Sequence, residues 1–222
     1  MKFWKYHVNG NDFILLHTKQ KLHESQIQLW CKQHFGIGAD GILQVWIEKG
    51  ILHYRHFNAD GSPANMCGNG IRCVGYWYMN KAHVDICKVE IANTQYRIRR
   101  YKHLVTLEMP VPEHIKDNLY RCGVMHKVSD QYEESSLYNV NVVKYQDPMH
   151  FHITTYELGV GKTYSCGTGN LATFYHGYKT GKLHKIAIGM NEGGKNLLQY
   201  SNHFIYISAP VHAVMEGRIL LE

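Results

Sequence analysis

Along most of the chain, apolar and aromatic residues alternate with polar ones in short runs, the period of a half-buried β-strand. "MKFWKYHV", "GILQVWIE", "ILHYRHFNA", "HVDICKVEIA" and "HLVTLEMP" read as strands in the first half. "LYNVNVVKY", "FHITTYEL", "KIAIGM", "NLLQY", "HFIYIS" and "VHAVME" continue the series in the second. Helical spacing surfaces three times. In "HESQIQLWCKQHF" it puts Ile27, Trp30, Cys31 and His34 on one face and predicts a helix that stops before "GIGADG". After two glycine-rich turns it groups Ile71, Val74, Tyr78 and Met79, and then Leu171, Phe174, Tyr175 and Tyr178.

The pattern predicts an α+β protein. "MPVPEH" (Met109 to His114) is the best candidate for a lobe boundary, because two prolines so close exclude a helix interior and a central strand. Two similar lobes are expected, 1–110 and 111–211, with 212–222 returning to the first. A chain of 222 residues is long enough for that division.

Composition narrows the function classes. The chain is 45% hydrophobic and 19% charged, ordinary for a globular protein. It has no apolar run long enough for a membrane span and no signal-peptide core, so a soluble cytoplasmic protein with no membrane partner is expected. The net charge of +6 includes a basic cluster, Arg97 to His103. No nucleic-acid-binding motif accompanies it, so the solvated end of a β-hairpin is the plainer reading. The cysteines stand at 31, 67, 73, 87, 122 and 166 without a CxxC pair, which argues against structural zinc. "HFH" (His150 to His152) could turn two imidazoles to one strand face, but no third ligand is in view, and no metal is expected.

The chemistry gathers at "NADGSPANMCGNGIRC" and "YELGVGKTYSCGTGN". In each, a cysteine (Cys67, Cys166) precedes Gly-polar-Gly at a predicted helix start. Glycines let backbone amides approach a ligand, and the first helical turn carries unpaired N–H donors and partial positive charge. The same field stabilises a thiolate. A lone motif of this kind is commonly a buried thiol beside a turn. Two of them suit one amino acid held by its carboxylate, with one thiolate removing the α-proton and the opposite thiol returning a proton. Helix ends contribute about 0.3–2 kcal/mol each, so exclusion of water must amplify them.

With these motifs in view, the sequence resembles the diaminopimelate epimerase family, amino-acid epimerases that work without pyridoxal phosphate. The likeness runs from "KYHVNGNDF" to "AVMEGRI". It implies two lobes, each a curved, mostly antiparallel sheet around a central helix, with the active site in the cleft between them, no cofactor and an amino-acid substrate. A homodimer is a further expectation. By resemblance Cys67 and Cys166 are the acid/base pair, and Gly68, Asn69, Gly167 and Thr168 offer amides to the α-carboxylate. Asn11, Asn58 and Asn139 fall at substrate-contacting positions. Glu157 matches the residue that binds the α-amino group and supports thiol ionisation. "GVMHKVSD" is similar to the family's Gly-Asn-Pro-His stretch, which makes His126 the imidazole beside the first cysteine.

Three departures bear on substrate. Val124 replaces the family's Asn, Leu158 replaces the Arg of Glu-Arg-Gly, and the segment between His126 and "YNVNV" is short. In the family the Asn and Arg serve the far amino-acid end of diaminopimelate. Their loss favours an amino acid with a neutral, even aromatic, side chain. Diaminopimelate itself, an isomerase or proline-derivative epimerase on the same fold, and a non-catalytic amino-acid-binding protein are the alternatives.

Overall fold

The computed structural model describes residues 1–64, 66–91 and 94–220. The chain divides into two compact units, Met1–Val105 with Pro210–Glu222, and Thr106–Ala209. The division falls inside a strand, a few residues before Met109–His114.

The first unit holds β1 (Lys2–Val8), β2 (Asn11–His17), α1 (Glu24–Cys31), β3 (Gly41–Glu48), β4 (Ile51–Asn58), β5 (Pro63–Ala64), α2 (Gly68–Ala82), β6 (Ile86–Ile91), β7 (Thr94–Tyr101) and the start of β8 (Leu104–Pro110). The second holds β9 (Glu113–Lys116), β10 (Leu119–Cys122), β11 (Val124–Ser129), β12 (Asn139–Asp147), β13 (His150–Glu157), β14 (Gly161–Thr163), α3 (Gly167–Lys179), β15 (Ile186–Asn191), β16 (Gly194–Ser201) and β17 (Phe204–Pro210). β18 (His212–Arg218) returns to the first unit and pairs antiparallel with β1.

Strand pairing shows one plan used twice. In the first unit β1–β2 is antiparallel, β2–β3 parallel, β3–β4 antiparallel and β4–β6 parallel, with α2 in the last crossover. In the second, β10–β11, β11–β12, β12–β13 and β13–β15 repeat that series, with α3 in the last crossover. Each parallel pair needs a crossover connection, and each central helix is one. Cys67 follows Asn58 by nine positions, and Cys166 follows Glu157 by nine. Combined with the registers, this makes Asn11 the counterpart of Val124, Phe13 of His126, Gly41 of Asn139 and Leu43 of Asn141.

The two central helices bury the apolar faces that the spacing predicted. Ile71, Val74 and Met79 are fully buried, as are Phe174 and, nearly so, Leu171. Tyr78, Tyr175 and Tyr178 are half-buried. A Cβ on Gly75 would lie 2.9 Å from Ile98 Cγ2, so only glycine lets α2 approach β7 this closely. α2 ends at His83, which adopts the left-handed conformation and delays β6 to Ile86.

The two halves differ at the first crossover. In the first unit α1 covers β2 and β3, with Ile27, Trp30 and Cys31 packed among Ile14, Leu16, Leu22 and Ile42. α1 stops at Cys31, and His34 lies beyond it, exposed, with φ of 68°. The cause is a backbone return: Ile37 and Gly38 both donate to Trp30 O, and Ala39 donates to Cys31 O, which satisfies the last carbonyls early. In the second unit residues 130–138 contain no helix. That segment is tied to the sheet by polar contacts instead. Lys127 Nζ meets both carboxylate oxygens of Glu133 at 2.7 and 2.8 Å, Tyr138 donates to the same carboxylate, and Tyr132 packs on Tyr156.

The basic side chains of the cluster Arg97 to His103 lie at the surface. Arg97 and Arg99 are exposed on β7, while Arg100 bonds Asp85 and Asn80. Among the described residues no three His, Cys, Asp or Glu side chains converge as a metal site. In "HFH", His150 pairs with Asp147 and His152 with Gln146. No described helix is long and apolar enough to cross a membrane.

Because α1 holds the outer face of the first sheet through a few large side chains, Ile27→Ala should destabilise that unit by about 2–5 kcal/mol. Urea denaturation followed by fluorescence is the check. A loss well under 1 kcal/mol would mean that α1 is an ornament on the sheet.

Candidate active site

Both cysteines are helix N-caps. Cys67 (φ −133°, ψ 116°) accepts the Gly70 N–H on its sulfur at 3.4 Å, and Cys166 (φ −110°, ψ 116°) accepts the Gly169 N–H at the same distance. An N-cap normally uses a Ser, Thr, Asp or Asn oxygen. Sulfur is a weak acceptor as a thiol and a stronger one as a thiolate. Intrahelical bonding begins at Ile71 N–H to Cys67 O and at Asn170 N–H to Cys166 O. The amides of Gly68 and Asn69, and of Gly167 and Thr168, stand ahead of that point, where a helix has no carbonyl to offer them. Such a turn can hold a carboxylate.

In the first unit the Cys67 turn rests on a buried cation. Arg72 has no exposed surface; its Nη2 donates to Asn69 Oδ1 at 2.5 Å and its Nε to Gly68 O at 3.3 Å. Burial lowers its pKa to about 10, so it remains protonated at neutral pH. Asn69 Nδ2 in turn donates to Asn11 Oδ1 at 3.0 Å, Asn11 Nδ2 donates to Asp40 Oδ2 at 2.7 Å, and the Cys67 sulfur lies 3.7 Å from Asn11 Oδ1. Asn58, at the end of β4, donates to Ser62 Oγ at 3.0 Å and is exposed.

In the second unit the Cys166 turn rests on neutral side chains. Thr168 Oγ1 is 3.4 Å from the Cys166 sulfur and 2.9 Å from His126 Nε2. His126 is fully buried on β11, and that burial lowers its pKa to about 4, so the ring is uncharged. Asn141 Nδ2 lies 3.4 Å from His126 Nδ1 and 3.4 Å from Gly169 O, while Asn141 Oδ1 accepts from Thr155 at 3.1 Å. A Cβ on Gly169 would come within 2.7 Å of Asn141 Oδ1 and 2.8 Å of Thr155 Oγ1, so this position must be glycine. Glu157, half-buried at the end of β13, accepts from Thr163 Oγ1 at 2.9 Å. Buried Asn139 uses its Oδ1 to hold the Leu158 N–H at 2.9 Å. Leu158 and Val124 are both partly exposed, at 43% and 46%.

Cys67, Gly68, Asn69 and Asn11 therefore share one neighbourhood, and Cys166, Gly167, Thr168 and His126 share another. Arg72, Asn141 and Thr155 are additional members that motif reading missed. Arg72 sits inside the motif "CGNGIRC" but reads as a surface charge until its burial is known. Asn141 and Thr155 follow from strand alternation, since each points to the face that carries His126 or Glu157.

Comparison with known proteins supplies the remaining frame. A family model described as diaminopimelate epimerase matches residues 3–103. The chain is 30% identical to the diaminopimelate epimerase of Flavobacterium psychrophilum over 99% of this chain and 100% of that one. It is 31% identical to that of Campylobacter jejuni over 98% of each. Among solved structures, a protein from Pseudomonas aeruginosa described as a predicted epimerase superposes with a TM-score of 0.81 at 9% identity, covering 100% of this chain and 99% of the other. A hydroxyproline epimerase from Agrobacterium vitis with bound trans-4-hydroxy-L-proline gives 0.71 at 10% identity, over 98% and 91%. At those identities the structures share the fold, two-lobed and α+β, while the sequence relatives carry the assignment. The chain belongs to the diaminopimelate epimerase family of isomerases.

Proposed function

We propose that the protein is a cofactor-independent amino-acid racemase or epimerase that uses Cys67 and Cys166 as its acid/base pair. The observation that carries this reading is the matched pair of cysteine N-caps, each with its sulfur on the third amide of a central helix. One thiolate takes the α-proton, the bond electrons remain on Cα as a carbanion, and the other thiol gives its proton to the opposite face. Cα is inverted, and the two sulfurs have exchanged protonation states. The amides of Gly68, Asn69, Gly167 and Thr168 bind the α-carboxylate and stabilise the charge that develops beside it. Glu157 takes the α-ammonium group, and Asn11, Asn58 and Asn139 complete or brace the substrate contacts. A binding protein would need neither thiol.

The substrate is proposed to carry a neutral side chain. Asn11 and its counterpart Val124 give the internal comparison: the amide persists in one half and is apolar in the other. Leu158 removes a second polar partner. A charged side-chain end beside these two residues would lose water without gaining hydrogen bonds, whereas a neutral one buries apolar area at about 25 cal/mol per Å².

Cys67→Ser and Cys166→Ser should each lower racemisation by roughly 10²-fold or more, since a hydroxyl is a far weaker acid than a thiol. A single variant should still eliminate halide from a β-halogenated substrate, because abstraction needs one base. Wild-type rates of inversion in either variant would end the two-thiol reading. For specificity, kcat/KM should favour a neutral amino acid over LL-diaminopimelate, with histidine and other ring-bearing side chains tested first. Val124→Asn combined with Leu158→Arg should move the preference toward diaminopimelate. Faster turnover of LL-diaminopimelate by the wild type would restore the activity named for the sequence relatives.

A further inference from the structure

We propose that Asp40 is a positioning residue: its carboxylate fixes the side-chain amide of Asn11 with Oδ1 toward the Cys67 turn, so that Asn11 offers a ligand an acceptor and not a donor. The effect on catalysis rests on the amino-acid reading above; the orientation of the amide does not.

The orientation follows from what a carboxylate can do. Asp40 Oδ2 lies 2.7 Å from the Asn11 amide and 3.1 Å from the Asp12 N–H. An ionised carboxylate only accepts, so the Asn11 atom that meets it is Nδ2, and Oδ1 is turned the other way. There Oδ1 accepts from Asn69 Nδ2 at 3.0 Å, which uses one of its two lone pairs. The Cys67 sulfur is 3.7 Å away, a weak donor that an N–H or O–H group of a ligand displaces. A flipped amide would present Nδ2 at this place and repel the same group.

Asp40 is itself held on rigid elements. Its N–H donates to Asp12 Oδ1 at 3.0 Å and to Asp12 O at 3.1 Å, and its carbonyl accepts the N–H of Ala59, the neighbour of Asn58, at 3.1 Å. Lys5 Nζ lies 2.8 Å from Asp12 Oδ2 and donates to Gly38 O at 2.5 Å, which sets a cation behind the two carboxylates. Lys5 on β1, Asn11 and Asp12 on β2, and Asp40 just ahead of β3 thus form one polar network across three strands. A site side chain braced in this way keeps its geometry better than one on a loop.

The duplicated plan supplies an internal control. The registers put Leu119 where the first unit has Lys5, Met125 where it has Asp12, Val124 where it has Asn11 and Tyr138 where it has Asp40. The strands themselves are retained there, since Tyr6 and Tyr120 occupy equivalent places and both are buried. Carboxylate and amide are therefore present together in one half and absent together in the other. Tyr138 serves a different end, donating to Glu133 in the segment after β11. A charge kept only to brace β2 on β3 would have no reason to come and go with Asn11.

The test has two arms, both on the full-length protein. In the first, ¹⁵N,¹³C-labelled protein without substrate is titrated with acid, and the Asn11 Nδ2 resonances are followed beside the Asp40 carboxyl carbon. They should move with one midpoint, and that response should vanish in Asp40→Asn. In the second, Cα exchange in D₂O is measured with the L-amino acids and LL-diaminopimelate, and the best of these probes is carried into the variants. Asp40→Asn frees the Asn11 amide to flip, and should raise KM about tenfold while kcat stays within about threefold. Its Tm should stay within about 3 °C of the wild type. Asp40→Glu restores a carboxylate and should recover part of the loss. Exchanging the pair, Asn11→Asp with Asp40→Asn, gives position 11 two acceptor oxygens and position 40 a donor, and should return KM to within about threefold of the wild type. Asn11→Asp alone sets two carboxylates together and should not. An Asn11 amide that ignores the Asp40 titration overturns the inference. So does an Asp40→Asn protein with wild-type KM, whether or not its Tm falls. Wild-type protein that exchanges none of the probes would sink the amino-acid reading, and the first arm would still decide the orientation.

Discussion

The arrangement depends on a sulfur atom placed where a helix asks for an oxygen. An oxygen N-cap is worth about 1 kcal/mol over a side chain that cannot cap, and a neutral thiol recovers little of that. Ionisation changes the balance, because a thiolate accepts strongly and sits in the positive end of the helix field. Each central helix thus presents a capping group whose stabilising role and whose reactivity grow together. The glycines that follow are part of the same constraint. Gly169 has Asn141 and Thr155 against it, and any side chain there would displace the groups that orient the neighbours of Cys166.

A duplicated plan then allows the two caps to be tuned apart. The first half places Arg72 beneath the cap and routes its hydrogen bonds through Asn69 to Asn11. Its counterpart in α3 is Leu171, which packs as an ordinary core residue. The second half places His126 where the first has Phe13, and Asn141 where the first has Leu43. Apolar and polar roles are exchanged between equivalent positions while the strand registers hold. The same exchange explains why α1 can be absent from the second half. Residues 130–138 lie over a sheet face bearing Lys127 and Tyr156, which polar and aromatic contacts satisfy without a buried apolar helix.

Much of this was legible in the sequence wherever one physical signal dominated. Alternation located most long strands, and helical spacing after each Cys-Gly-polar-Gly found α2 and α3. Helical spacing continues to His34, yet α1 ends at Cys31 because amides from the glycine turn satisfy the carbonyls of Trp30 and Cys31. Short strands such as β5 and β14 carry too few residues for any period. Cys67 and Cys166 announced themselves by repetition. Arg72, Asn141 and Thr155 did not, because their roles depend on burial and on partners distant in sequence. The resemblance puts His126 beside the first cysteine, whereas the contacts shown here join it to Thr168 in the Cys166 turn, a link that depends on burial and on the register of β11 on β12.

The most direct test of the two-thiol mechanism is the position of deuterium early in a reaction run in D₂O. A single enantiomer of a good substrate is supplied, and both enantiomers are recovered before equilibrium. Two bases that do not share a proton predict deuterium at Cα in the newly formed enantiomer and almost none in the remaining starting material. Equal early labelling of both enantiomers would require one base to serve both faces, and would contradict the assignment of Cys67 and Cys166 as a pair.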